Sequence, residues 1–267
     1  MLTPPYLKKG DKVGIVCTAR KANREDLENG IALLKSCGLE PVLGKTIGAS
    51  DNQYGGTDAL RAADLQAMLD DEEINAIWCA KGGYGTVRII DEINFYKFIK
   101  YPKWIIGYSD VTVLHSQIHK LGFETIHGVM PVGIARNTAV AKKTLENAWF
   151  GKPVHYHIES APLNRLGTAK GELVGGNISI LYSLCGSHSA IDTTNKILFL
   201  EDLDEYLYHV DRMMVNLKRN GMLRNIRGLV VGGLTSMHDN STPFGKTAQE
   251  IVMDAVEEYD YPVCFDF

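Results

Sequence analysis

The stretch Trp104-Ile105-Ile106-Gly107-Tyr108-Ser109-Asp110-Val111-Thr112 carries the pattern best suited to chemistry in this chain. An apolar run ends in a small polar turn, and Leu114, Ile118 and Leu121 then recur at helical spacing. A serine at a strand-to-helix turn is held out from the backbone, and the N–H groups after it point at whatever its hydroxyl attacks. Serine is a weak nucleophile until a base takes its proton, and the oxyanion it creates needs donors already in place. Gly107 lets the chain approach closely, and Asp110 can cap the helix or lend its own N–H to the anion. The spelling G-Y-S-D departs from the G-x-S-x-G hydrolase elbow, because Val111 stands where the last glycine would be. The plainer reading is that Ser109 or Asp110 only caps a helix.

Other candidates are weaker alone. Lys81-Gly82-Gly83-Tyr84-Gly85 could cradle a phosphate or donate an N–H to an oxyanion. With no G-x-G-x-x-G after the first strand and no G-K-[ST], a nucleotide site has little support; a tight turn needing positive φ is the plainer account. His115 and His119 have the i, i+4 spacing of metal ligands, but Ser116 replaces the glutamate of H-E-x-x-H, so no metal site is expected. His127 reads as a structural histidine. Glu201 closes an apolar strand, where a carboxylate can orient a histidine, although acidic residues gather at strand ends for other reasons.

The elements that would position these groups alternate. Val13–Cys17, Pro41–Leu43, Ile74–Cys79 and Lys103–Ile106 read as strands, Arg24–Cys37, Thr57–Leu69 and Val87–Ile93 as helices. That order predicts an α/β fold with a doubly wound, mostly parallel sheet, whose ligands bind beyond the carboxyl ends of the strands. The Gly82-Gly83 turn and Ser109 both lie at such ends. Residues 1–136 are expected to form this nucleophile-bearing domain and 137–166 a connection of weaker periodicity. Residues 167–267 form a second, smaller α/β domain, with strands at Lys196–Leu200 and Gly228–Gly233, a helix over His209–Lys218 and a closing strand at Tyr261–Phe267.

A net charge of −4 argues against nucleic acid as the main partner. Cysteines 17, 37, 79, 185 and 264 form no C-x-x-C pair and read as reduced thiols in a reducing compartment. The N-terminus has no signal pattern and no apolar run reaches membrane-spanning length, so a cytoplasmic protein with no membrane partner is expected.

Taken together, the chain resembles the LD-carboxypeptidases, serine peptidases that include muramoyltetrapeptide carboxypeptidase and the microcin C self-immunity peptidases. The resemblance rests on Leu7–Val16, Ala80–Gly85, Gly107–Thr112, His127-Gly128, Gly171–Asn177, Phe199–Asp202 and Gly228–Gly232, in order along the chain. It implies a Ser-His-Glu triad in a cleft between two domains, with Ser109 as nucleophile and Glu201 orienting the histidine. The N–H of Asp110 and one from Gly82-Gly83 would form the oxyanion hole. The implied reaction releases terminal D-alanine from the L,D bond of cytoplasmic murein tetrapeptides during peptidoglycan recycling. The resemblance implies no metal or organic cofactor, a small muropeptide substrate and a homodimer.

One departure matters. The family's histidine lies in a Gly-His pair just after the strand matched by Val263–Phe267, and the sequence stops at Phe267. Truncation, with the base beyond Phe267, is the expected explanation; His238 as a substitute has no support in the family pattern. The alternatives are a microcin C-type immunity peptidase, which needs an aromatic platform from residues 137–166 or 186–195, where Trp149 within Leu145–Phe150 reads as helix packing instead, and a non-catalytic muropeptide-binding protein.

Overall fold

The structure, a computed structural model, describes residues Met1–Phe267. They divide into two compact units, Met1–His155 and Tyr156–Phe267. No helix is long and apolar enough to cross a membrane, and all five cysteines are free thiols.

The first unit runs β1 (Lys12–Val16), α1 (Glu28–Ser36), β2 (Glu40–Leu43), α2 (Asp58–Asp70), β3 (Ile74–Cys79), α3 (Tyr96–Lys100), β4 (Trp104–Gly107), α4 (Thr112–Lys120), β5 (Ile126–His127) and α5 (Ala139–Trp149). Its five strands are all parallel, in the order β2-β1-β3-β4-β5. The centre of the sheet is covered on both faces, and β3 and β4 are accordingly apolar at nearly every position. The order reverses between β1 and β3, so the carboxyl ends of these strands open the crevice where such sheets take ligands. The Gly82 turn leaves β3 there, and Ser109 leaves the adjacent β4.

Two expectations need amending. Val87–Ile93 is not one helix but two short 3-10 turns, Thr86–Arg88 and Ile90–Glu92. The β-branched Val87, Ile89 and Ile90 resist a continuous α-helix, and Ile89 and Ile90 are both buried although adjacent. Within 137–166, where a connection was expected, α5 forms behind a Thr138 cap that accepts the Ala141 N–H at 3.1 Å. Leu145 and Trp149, four apart, bury one face of α5, with Trp149 edge-on to Trp78 at 5.2 Å between centroids. Two apolar anchors in a lysine-rich helix leave only a faint periodic signal.

The second unit contains β6 (Leu173–Asn177), α6 (Ile178–Leu184), β7 (Ile197–Leu203), α7 (Leu207–Arg219), β8 (Gly228–Thr235), α8 (Ala248–Ala255) and β9 (Val263–Cys264). Its strands are again parallel, in the order β6-β7-β8-β9. Val210, Met213, Met214 and Leu217 of α7 share one core with Leu198 and Leu200 of β7 and Ile251 and Val252 of α8. At Gly175 a Cβ would fall 1.9 Å from the Phe199 carbonyl oxygen, so only glycine lets β6 lie against β7 there.

Candidate active site

Ser109 follows β4 with φ of +60°, a left-handed conformation that costs a non-glycine residue roughly 1 kcal/mol. Tyr108 before it is extended, with φ −148° and ψ −175°. The chain therefore turns sharply at the serine and leaves it partly exposed. The helix-cap reading fails: neither the Ser109–Val111 turn nor α4 has a side-chain cap. Gly107 is needed for packing, since a Cβ there would meet Val111 Cγ2 at 2.8 Å.

The carboxylate of Asp110 does something else. It is fully buried, and its Oδ2 accepts the Thr86 main-chain N–H at 2.9 Å. Burial pushes its pKa up, against hydrogen bonds from Thr86 and Gly85 that pull it down. This contact fastens the glycine turn after β3 to the serine turn after β4. Gly82 then comes so close that a Cβ would lie 3.2 Å from Ser109 Cβ and 3.3 Å from Ser109 Oγ. Gly83 (φ +111°) and Gly85 (φ +146°) supply the conformations that bend the turn. Its far side is held by Arg61, whose fully buried guanidinium donates to the Gly85 carbonyl at 2.9 Å and also to the Thr18 carbonyl and Asp58. Sequence reasoning missed Arg61 and Thr86, because a buried arginine on an otherwise ordinary helix has no local signature.

His115 is structural, as spacing alone could not decide. Its ring bonds to the Gly107 carbonyl at 2.9 Å and to Thr125 Oγ1 at 2.8 Å. Burial lowers its pKa to about 4, so it stays neutral. His119 is its neighbour on α4, and no group of His, Cys, Asp and Glu side chains that could hold a metal ion is present.

In the second unit, Glu201 sits on β7 beside Asp202, and alternation sends the two carboxylates to opposite faces. Asp202 is consumed locally: it accepts Asn177 Nδ2 at 2.9 Å and the Ser179 N–H at 2.9 Å, tying β7 to the start of α6. Glu201 keeps one oxygen, Oε1, that is shielded from solvent and makes no hydrogen bond. Burial, then the charge of Asp202, raises its pKa to about 7, with hydrogen bonding from Asn177 opposing. Gly232 on β8 leaves open the face that Glu201 and Phe199 share, since a Cβ there would touch both side chains at 3.2–3.4 Å. Phe267 reaches this face as well: its ring lies 6.3 Å from that of Phe199, and its N–H donates to the Val231 carbonyl at 3.2 Å. His238, by contrast, bonds Asp204 Oδ1 at 2.6 Å in an exposed position.

Residues 13–128 match the family model described as LD-carboxypeptidase N-terminal domain, and residues 170–267 match the LD-carboxypeptidase C-terminal domain. The chain belongs to the LD-carboxypeptidase family. Among its relatives is a Bacillus subtilis (strain 168) protein named "Probable murein peptide carboxypeptidase", 39% identical over 85% of this chain and 73% of that one. The "Murein tetrapeptide carboxypeptidase" of Pseudomonas aeruginosa is 26% identical over 84% of this chain and 76% of its own. Among solved structures, the muramoyltetrapeptide carboxypeptidase of Oxalobacter formigenes superposes with a TM-score of 0.82 at 23% identity, over 96% of this chain and 88% of that one. The microcin C7 self immunity protein MccF in complex with aspartyl sulfamoyl adenosine gives 0.88 at 22% identity, over 100% and 90%. At that identity the likeness is one of fold. As an LD-carboxypeptidase the chain is a serine-type hydrolase. Trp149 packs, as its setting suggests, as a buried anchor of α5 against Trp78, and offers no nucleobase platform.

Proposed function

We propose that this LD-carboxypeptidase hydrolyses the L,D bond at the end of murein tetrapeptides and releases D-alanine. The observation that carries the reading is Ser109, partly exposed at a left-handed turn, with the bare Cα of Gly82 beside its Oγ. Ser109 Oγ attacks the carbonyl carbon of the third residue while an imidazole accepts its proton. The resulting oxyanion is received by the N–H of Asp110 and one from Gly82 or Gly83. The intermediate collapses, the C–N bond breaks, and D-alanine leaves with the proton returned by the imidazolium. Water then hydrolyses the acyl ester along the same route.

Glu201 is the carboxylate that orients the imidazole, and its buried Oε1 is suited to accept the ring N–H. We assign the imidazole to a histidine following Phe267, since Phe267 packs on Phe199, two residues before Glu201 on the same strand. The reading needs no metal or organic cofactor. It places the protein in the cytoplasm, where recycled murein fragments are met and free thiols are stable, and takes the homodimer as its assembly.

The test is release of free D-alanine from murein tetrapeptide by the protein extended through that histidine, with Ser109→Ala as control. Release that disappears in the control supports the reading. Tight binding with no turnover, together with failure of a serine-directed fluorophosphonate to label Ser109, would replace it with a muropeptide-binding role.

A further inference from the structure

We propose that the guanidinium of Arg20 anchors the terminal carboxylate of the substrate peptide. The inference rests on Ser109 being the nucleophile of a carboxypeptidase. In such a substrate the terminal carboxylate carbon is three bonds from the scissile carbonyl carbon, hence within about 4 Å of it. Whatever binds that carboxylate must stand immediately past the oxyanion turn.

Arg20 is in that place. Its main-chain N–H donates to the Gly82 carbonyl at 3.4 Å, and its side chain passes beside Gly83. A Cβ on Gly83 would come 2.5 Å from Arg20 Cδ and 2.8 Å from its Nε, so the bare glycine is what lets the arginine rest there. One residue back, a Cβ on Gly82 would lie only 3.3 Å from Ser109 Oγ. The cation is therefore carried by the same turn that faces the nucleophile.

Its charge is also uncommitted. The other arginines around this turn are occupied: Arg61 is buried on Asp58 and two carbonyls, and Arg88 grips Asp58 at 2.9 Å. Asp110, the acid nearest the nucleophile, is fastened to Thr86. Arg20 is exposed and forms neither an ion pair nor a side-chain hydrogen bond. A guanidinium presents a planar fork of donors that matches a carboxylate bidentately. Discrimination against internal peptide bonds and C-terminal amides follows, because neither supplies the anion.

The test is calorimetric binding, in the Ser109→Ala background, of a tetrapeptide ending in D-alanine and of its C-terminal carboxamide. With Arg20 present, the acid should bind about tenfold to a hundredfold more tightly than the amide, the weight of a hydrogen bond to a charged group. Arg20→Gln should bring that ratio to about one, and Arg20→Lys should restore part of it. Equal thermal midpoints for the three proteins would show that folding is untouched. A preference for the acid that survives Arg20→Gln, or no preference or no binding with Arg20 intact, overturns the assignment. An Arg20-dependent preference in a protein that never releases D-alanine would keep the anchor and reject the hydrolytic reading.

Discussion

Asp110 Oδ2 accepts the Thr86 main-chain N–H at 2.9 Å inside a site closed to solvent, joining the turn after β3 to the turn after β4. The residue after the nucleophile thus has two separable parts. Its N–H is proposed to face the oxyanion, while its carboxylate fixes the distance between the two loops that supply the donors. Asp110→Ala leaves a buried N–H without an acceptor, at a cost of about 1–3 kcal/mol. Asp110→Asn keeps an acceptor oxygen. Urea unfolding should show the alanine variant clearly destabilised and the asparagine variant close to the parent. kcat/KM for D-alanine release should fall in the same order.

Strain at Ser109 separates stability from activity. Alanine at φ +60° bears the same left-handed penalty as serine, whereas glycine does not. Ser109→Gly and Ser109→Ala should both abolish D-alanine release. The glycine variant should be the more stable of the two by about 1 kcal/mol, read from denaturant midpoints at constant m-value. Equal stabilities would mean that the turn relaxes when the hydroxyl is lost.

Gly82 tests crowding at the nucleophile without testing the fold. A methyl group there meets Ser109 Cβ at 3.2 Å and Ser109 Oγ and Met130 Cε at 3.3 Å, so these neighbours must give by a few tenths of an ångström, and Gly82 does not need positive φ. Gly82→Ala should leave the thermal midpoint nearly unchanged while kcat/KM falls at least about tenfold, since displacement of an acyl-transfer site by fractions of an ångström is enough. Gly83→Ala, at φ +111° and against Arg20, should instead lower stability.

Glu201 gives the second unit a pH signature. Its folded pKa of about 7 lies above the unfolded value of about 4.3. Between those limits the folded state binds more protons, so its contribution is favourable at low pH and is lost as pH rises through the window. Unfolding of the chain Met1–Phe267 followed from pH 4.5 to 7.5 should show stability declining, and Glu201→Gln should flatten that slope. Identical slopes in the two proteins would assign the titration elsewhere.

Much of the framework was legible because it is local. β3, β4 and β8 are runs of apolar residues bounded by turn formers, and Thr57 announces α2 in the ordinary way, accepting the Leu60 N–H at 3.2 Å. The Thr247–Glu250 capping box of α8 is also written in the chain, although the helix was not anticipated from it. α5 was harder, because Leu145 and Trp149 alone mark its buried side.

By itself the sequence determined the repeating strand and helix units, the turn that carries Ser109, and the family. Each depends on neighbouring residues whose periodicity or spelling survives without knowledge of the fold. Tertiary structure decided that Gly82 lies against Ser109, that Asp110 looks inward to Thr86, that His115 is locked to Gly107 and that Asp202 ties Asn177 to the Ser179 N–H. Those pairings depend on which strands become parallel neighbours and in what register. Hydrophobic alternation says which face of a strand is buried, but not which distant residue will meet it there.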